Sequence, residues 1–187
     1  TPNLFRDEVI KHHMFALDEQ AAKRCSLVLF ELVANIFDHS EETTGCITIQ
    51  YRKNPNAHKS SLKGQMFLAV SDLGIGIEMS LKDRVAEEST RPPQGISGWE
   101  ILDYAIQPGV TRTGLGIRGY GLHSVTQVAD ILNISSTTGS LYIDNRKKKK
   151  KGSYIDYMPG TSVFLTFEVR DKTFKQYRHK GRQAEKL

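Results

Sequence analysis

The sequence predicts an α+β two-layer sandwich in which helices cover one face of a mixed β-sheet. Helical and strand-like stretches are segregated along the chain rather than alternating strictly, which argues against a doubly wound βαβ sheet. Neither GxGxxG nor GxxxxGK[ST] stands between a first strand and a helix, which removes the Rossmann and P-loop folds. A length of 187 residues suits one core.

Residues 4–17 carry Leu4, Phe5, Val9, Ile10, Met14 and Leu17 at helical spacing, so a first amphipathic helix is expected. His12 and His13 lie on it side by side, unlike the i, i+4 spacing of helical metal ligands. A second helix spans 20–39, with Leu29, Leu32, Val33 and Ile36 on its core face and Glu31, Asn35, Asp38 and His39 on the opposite one. Strands follow at 46–52 and 64–72. The long segment 77–113 reads as a mobile lid with a short helix at 97–106. A helix over 121–132 and strands at 131–137, 140–145 and 161–169 complete the order.

The net charge of +5 resides in the tail, because residues 170–187 hold seven Lys/Arg against Asp171 and Glu185. Six more basic residues form the single run Arg146–Lys151, and the rest of the body is acidic by six charges. That distribution supplies no basic body for nucleic acid, and the run reads as a solvated loop. No apolar stretch approaches the roughly 20 residues of a spanning helix. Cys25 and Cys46 lack metal-site spacing and suit reduced thiols, so a cytoplasmic location is expected. A start at Thr1 rather than Met reads as a piece of a longer protein.

Three clusters carry chemistry. Glu31, Asn35, Asp38 and His39 bring a carboxylate, an amide and an imidazole along one helix edge, able to orient water, hold a hard cation through oxygen, or bond phosphate. Asp72-Leu-Gly74-Ile-Gly76-Ile77 closes an apolar strand. Its glycines let the backbone approach a ligand, and Asp72 supplies a fixed acceptor for an exocyclic amine. Gly114-Leu115-Gly116-Ile-Arg-Gly119-Tyr120-Gly121-Leu122 precedes a helix, where glycine N–H groups and the helix N-terminus suit a polyphosphate. Each has a plainer reading: a solvated helix face, an Asx-capped turn, a flexible hinge. Gly160-Thr161, opening the last strand, is uninformative alone.

In this order the motifs resemble those of the GHKL ATPases, the group of DNA gyrase B, the heat-shock chaperone of that class, histidine kinases and MutL, which share the Bergerat ATP-binding fold. Glu31–Ser40 is similar to the N box, Asp72–Ile77 to the G1 box, Gly114–Leu122 to the G2 box and Gly160-Thr161 to the closing GT, so the resemblance covers about 20–169. It implies one ATP-binding domain over 1–169 with its lid at 77–113, and 170–187 as a basic tail or the start of a further segment. It also implies that Asp72 meets the adenine amine while Gly74, Gly76 and Ile77 line the base. Asn35 would hold Mg2+, and Glu31 would act as general base. Asp38 and His39 would face ribose and phosphate, Gly114, Leu115, Gly116, Gly119, Tyr120, Gly121 and Leu122 would wrap the phosphates, and Thr161 would back the pocket.

Within the group, the wording ELVANIFDHS and the compact size resemble stand-alone bacterial modules akin to anti-sigma-factor serine kinases. The phosphorylatable helical hairpin of histidine kinases is not recognisable. The implied activity is transfer of the γ-phosphate to a regulatory partner protein, or hydrolysis driving a conformational switch, with a homodimer allowed. The alternatives are an ATP-sensing module without turnover and, resting only on the basic segments, a nucleic-acid-associated ATPase.

Overall fold

A computed structural model describes residues 19–39, 44–58, 61–88, 95–110 and 120–170. The elements run α1 (Glu19–His39), β1 (Gly45–Lys53), β2 (Leu62–Asp72), α2 (Gly76–Glu88), α3 (Gly98–Ala105), α4 (Gly121–Val128), β3 (Ile131–Asp144) and β4 (Lys149–Arg170). The strands form one sheet in the order β1-β2-β4-β3. The helix expected over 4–17, with His12 and His13, and the tail beyond Arg170 lie outside the described residues.

Strand alternation builds the core in rows. Ile49, Leu68, Leu165 and Leu132 stand level across the four strands, with Ile47, Val70, Val163 and Ile134 in a second row two residues along. Because side chains alternate between faces every residue, these rows share one face. Cys25, Val28, Leu29, Leu32 and Ile36 of α1 join them in a single buried cluster. The opposite face carries Phe67 and Phe164, whose ring centroids are 6.5 Å apart, and Phe164 remains exposed. This one-sided covering is the expected two-layer sandwich.

Every described ladder is antiparallel, where a mixed sheet was expected. The reason is local: β1–β2 and β3–β4 are each joined through short reversals, which antiparallel strands allow and parallel ones do not. The three strands expected after residue 131 are two long ones. β3 runs on through the Ser136–Gly139 bend, and β4 takes in residues 149–160, which no expected strand included and whose first three, Lys149–Lys151, belong to the run read as a solvated loop.

The segment 77–113, expected as a mobile lid, contains two packed helices in its described part. Leu81, Ile96, Ile101 and Ala105 form a second buried cluster. α3 is begun by a capping box, in which Ser97 N–H and Oγ donate to Glu100 Oε2 at 3.0 and 2.7 Å, an arrangement that satisfies orphan helix donors. Trp99 lies on Gly152 of β4, where a Cβ would stand 2.2 Å from the indole. α3 is therefore clamped to the outer β3–β4 hairpin.

That hairpin carries the basic run at its tip. Asp144, 2% exposed, accepts from Arg146 N–H and Lys147 N–H at 3.1 Å. Arg146 pairs with Glu168 at 3.5 Å, and Lys150 pairs with Asp103. The run is a turn and strand partly neutralised by neighbouring acids. No helix among the described residues is long and apolar enough to cross a membrane.

Candidate functional site

The described motif residues sit in the second half of α1, at the end of β2, in the middle of β4 and at the start of α4. β2 ends at Asp72, whose Oδ1 accepts from Gly74 N–H at 2.9 Å. This Asx turn fixes the half-buried carboxylate at the strand terminus. Gly76 then takes φ +77°, and a Cβ there would lie 2.6 Å from Ser136 Oγ and 2.9 Å from Gly160 O. Only glycine fits both the dihedral and the space.

Ser136 joins segments far apart in sequence. Its hydroxyl, wholly buried, accepts from Ile77 N–H at 2.9 Å and donates to Gly160 O at 2.9 Å. Thr161 Oγ1 lies 3.3 Å away. With its proton given to Gly160, Ser136 Oγ is left as acceptor for both Ile77 and Thr161, which uses the full capacity of a hydroxyl. Gly160, at φ +72°, presses on Asp72, since a Cβ there would be 2.1 Å from Asp72 O. Asp72, Gly76, Ile77 and Thr161 thus form one rigid corner.

The second group is built on α1. Glu31 and Asn35 are both half-buried, one helical turn apart. They lie on the flank of α1 towards α4, not opposite its core face as the sequence suggests; the outward positions are Leu27, Phe30 and Phe37. Glu31 reaches the first turn of α4, where a Cβ on Gly121 would stand 2.5 Å from Glu31 Oε2. Burial raises the Glu31 carboxyl above the ordinary carboxylate range, because desolvation penalises the charged form.

α4 is anchored at its other end. Arg24 donates to Val128 O while stacking on Phe167 at 4.7 Å. Asn145 Nδ2 donates to Thr126 O and Ala129 O at 2.7 Å. With the terminal carbonyls satisfied, the N–H end of the helix is held towards Glu31. Leu122 packs against both apolar clusters, while Tyr120, just before the helix, is 53% exposed.

The two groups are linked along α1. Ile36, next to Asn35, lies 2.5 Å from where a Cβ on Gly45 would be, and that same point is 3.0 Å from Ser71 O. Asp72 is the register partner of Gly45. Glu31 beside α4, Asn35, and the β2 terminus therefore follow one another along the helix. Gly114, Leu115, Gly116 and Gly119 fall outside the described residues, and the side chains of Asp38 and His39 are not described.

Ser136 and Glu78 were not singled out from the sequence. Glu78, 7% exposed, accepts from Thr138 N–H at 3.1 Å and Thr138 O–H at 2.7 Å, tying α2 to the β3 bend. The signal was the run Ser135-Ser136-Thr137-Thr138, hydroxyls on a strand that must find partners when buried.

The fold is an α+β sandwich with an antiparallel sheet rather than a βαβ domain. A family model described as histidine kinase-, DNA gyrase B-, and HSP90-like ATPase matches residues 20–171, and the chain belongs to that family. It is an ATP-binding domain of the GHKL type. A search of curated proteins found no match.

Proposed function

We propose that this domain binds Mg-ATP and moves its γ-phosphoryl group to a hydroxyl of a regulatory partner protein or to water. The observation that carries the reading is the Glu31 carboxylate, raised by burial and set against Gly121 at the start of α4. That is where a helix N-terminus favours phosphate.

Asp72 accepts from the adenine amine through Oδ2, because Oδ1 is engaged by Gly74. Gly74, Gly76 and Ile77 line the base, and Thr161 backs it from the Ser136 corner. Asp38 and His39 face ribose and phosphate, while Gly114, Leu115, Gly116, Gly119, Tyr120, Gly121 and Leu122 wrap the phosphates. Asn35 offers one amide oxygen to Mg2+. No group of three or more His, Cys, Asp or Glu able to hold a metal exists among the described residues, which fits a cation that takes most of its ligands from phosphate and water. Bound there, Mg2+ neutralises charge on the phosphate oxygens.

The protein's own step is proton removal. The attacking oxygen forms a bond to the γ-phosphorus as the bond to the bridging oxygen of ADP breaks, and Glu31 takes the proton of the attacking water or hydroxyl. A carboxylate whose proton affinity is raised by burial is a better base for this than a fully solvated one. Cys25 and Cys46 are both free thiols, which supports a reducing, cytoplasmic setting.

The test is γ-labelled ATP with Mg2+, with and without candidate partner proteins, followed for bound nucleotide and for the fate of the label. Release or transfer that disappears in Glu31→Ala while ATP binding persists is the expected result. Turnover unaffected by that substitution overturns the assignment of the base, and bound ATP with no movement of label leaves an ATP-sensing module.

A further inference from the structure

The sheet face turned away from α1 is open, and strand alternation fixes what stands on it. On β1 it carries Thr48, Gln50 and Arg52, all exposed, while Ile47, Ile49 and Tyr51 between them pack on the core. Phe67 and Phe164 stand on neighbouring strands near the centre of this face, with ring centroids 6.5 Å apart and Phe164 40% exposed. Register puts Gln50 beside Phe67 and Asn133 beside Phe164.

The face continues past the Ser136–Gly139 bend, because β3 folds back along its own first half. Ser140 Oγ donates to Asn133 Oδ1 and accepts from Ser135 Oγ, both at 3.1 Å, and Asn145 N–H donates to Asp130 O at 2.9 Å. Tyr142, 38% exposed and two residues from Ser140, is therefore on this face too, with Lys151 as its register partner. The other side of that hairpin is the one that meets α3, through Gly152 on Trp99 and Lys150 with Asp103. Phe67, Phe164 and Tyr142 thus span three strand steps, about 14 Å.

The surroundings of the three rings identify the occupant. An apolar helix laid here would bury the amides of Gln50 and Asn133 without partners, which is costly. Nucleobases present a flat face to each ring while their edges bring donors and acceptors of their own. Charge agrees at both margins. Ion pairs in the basic run engage Arg146, Lys147 and Lys150, leaving exposed Lys149 and Lys151 without an acidic partner among the described residues, and Arg52 stands at the opposite margin. The acid of this face, Glu168, is held by Arg146 at 3.5 Å and Arg170 at 2.8 Å. Charge summed along the sequence argues against nucleic acid, whereas the fold gathers cations at the two sides of one aromatic surface. A duplex hides its base faces in the stack and has only edges and phosphates to offer.

We infer that the open sheet face binds single-stranded nucleic acid, with bases stacked on Phe67, Phe164 and Tyr142 and phosphates met by Arg52, Lys149 and Lys151. Ring faces and cations serve RNA and DNA alike. The surface is on the other side of the sheet from Glu31 and Asn35, so it stands independently of the nucleotide reading.

The experiment is fluorescence anisotropy of the full chain with labelled mixed-sequence oligomers of about 12 nucleotides. Single-stranded RNA, single-stranded DNA and the DNA duplex are compared at about 50 and about 200 mM salt, with ATP binding measured on the same samples. Both single strands should bind, and the duplex at least ~10-fold more weakly. Phe164→Leu keeps an apolar side chain but loses the ring, and should weaken single-strand binding at least ~5-fold. Lys149→Gln/Lys151→Gln changes only exposed side chains, so it reads out even where the phenylalanine variant fails to fold; it should lower the slope of log affinity against log salt by about 1.4. Neither variant should alter ATP binding. No binding at about 100 µM chain in the lower salt, a duplex held as tightly as the single strands, affinity indifferent to Phe164→Leu in a folded protein, or a slope unchanged by the lysine pair overturns the inference. So does self-association that depends on Phe164 with no oligomer bound, which would put a protein on this face.

Discussion

Replacing Gly121 by alanine separates the chemistry of this site from its architecture. The added methyl would stand 2.5 Å from Glu31 Oε2, and its next neighbours are Glu31 Cδ at 3.4 Å and Cβ at 3.7 Å. The only conflict is with the end of a flexible side chain, and Gly121 does not occupy a left-handed conformation. Ordinary van der Waals contact requires the carboxylate to retreat by roughly 1 Å, a misplacement that can cost ~100-fold in a positioned reaction. Alanine in place of glycine favours the helix by up to about 1 kcal/mol, so the fold is expected to be unchanged or slightly more stable. The assay pairs denaturant unfolding with γ-phosphate release or transfer at saturating ATP. A fall of about two orders of magnitude in turnover, with the unfolding midpoint equal to or above wild type, is the expected result. Turnover within threefold of wild type would refute the geometric argument that Glu31 acts from this position.

The remaining substitutions probe the other corner and the charge of the base. Asp72→Asn keeps an oxygen for Gly74 N–H and should leave stability intact while weakening ATP binding about 10–100-fold, the worth of a hydrogen bond to a charged acceptor; calorimetry showing unchanged affinity removes Asp72 from the adenine site. Gly160→Ala forces a side chain into φ +72° and against Asp72 O at 2.1 Å, which should cost about 2–5 kcal/mol from left-handed strain and overpacking. A denaturation midpoint equal to wild type would contradict the tight approach. For Glu31 the raised carboxyl means the native state holds the proton more firmly than the unfolded chain. Its contribution to stability is therefore full below the ordinary carboxylate range and is lost as pH rises through the raised value. Glu31→Gln should accordingly melt above wild type at neutral pH, with the gap closing below about pH 4; a gap independent of pH would reject burial as the cause.

What the sequence made legible was set by periodicity and by glycines. α1, β1 and β2 appear within two residues of their expected ends, because Leu29, Leu32 and Ile36 repeat at the helical period and β2 alternates cleanly. α2 was missed, since residues 76–88 mix Met79, Lys82, Asp83 and Arg84 with few apolar positions. Its one fully buried apolar side chain is Leu81, with Ile77, Val85 and Ala86 partly covered. The outer hairpin was hidden by its lysines: Lys149–Lys151 pair with Tyr142 and its neighbours through the backbone, which composition does not record. The polar edge of α1 was found, but its angle was misjudged. Without a partner element in view, Glu31 and Asn35 looked outward, and α4 is what places them on a flank.

The corner around Ser136 shows why such a site is recognised by its glycines and yet held by other residues. Gly76 and Gly160 adopt positive φ and come so close that neither tolerates a Cβ, but glycine supplies only permission and no attraction. The attraction comes from one buried hydroxyl that binds Ile77 N–H, Gly160 O and Thr161 Oγ1. Three chain segments, separated by 59 and 24 residues on either side of Ser136, therefore share one hydrogen-bonding centre. Removing it leaves a buried N–H and a buried carbonyl both unsatisfied, the costly side of hydrogen-bond energetics. The carboxylate of Asp72 owes its direction to this unit, because Gly160 lies against its own carbonyl. A ligand that binds Asp72 is thereby coupled to the β3 bend, and through the Glu78–Thr138 bonds to the first turn of α2. The Ser136 corner, the β3 bend and the first turn of α2 are in this way one hydrogen-bonded unit.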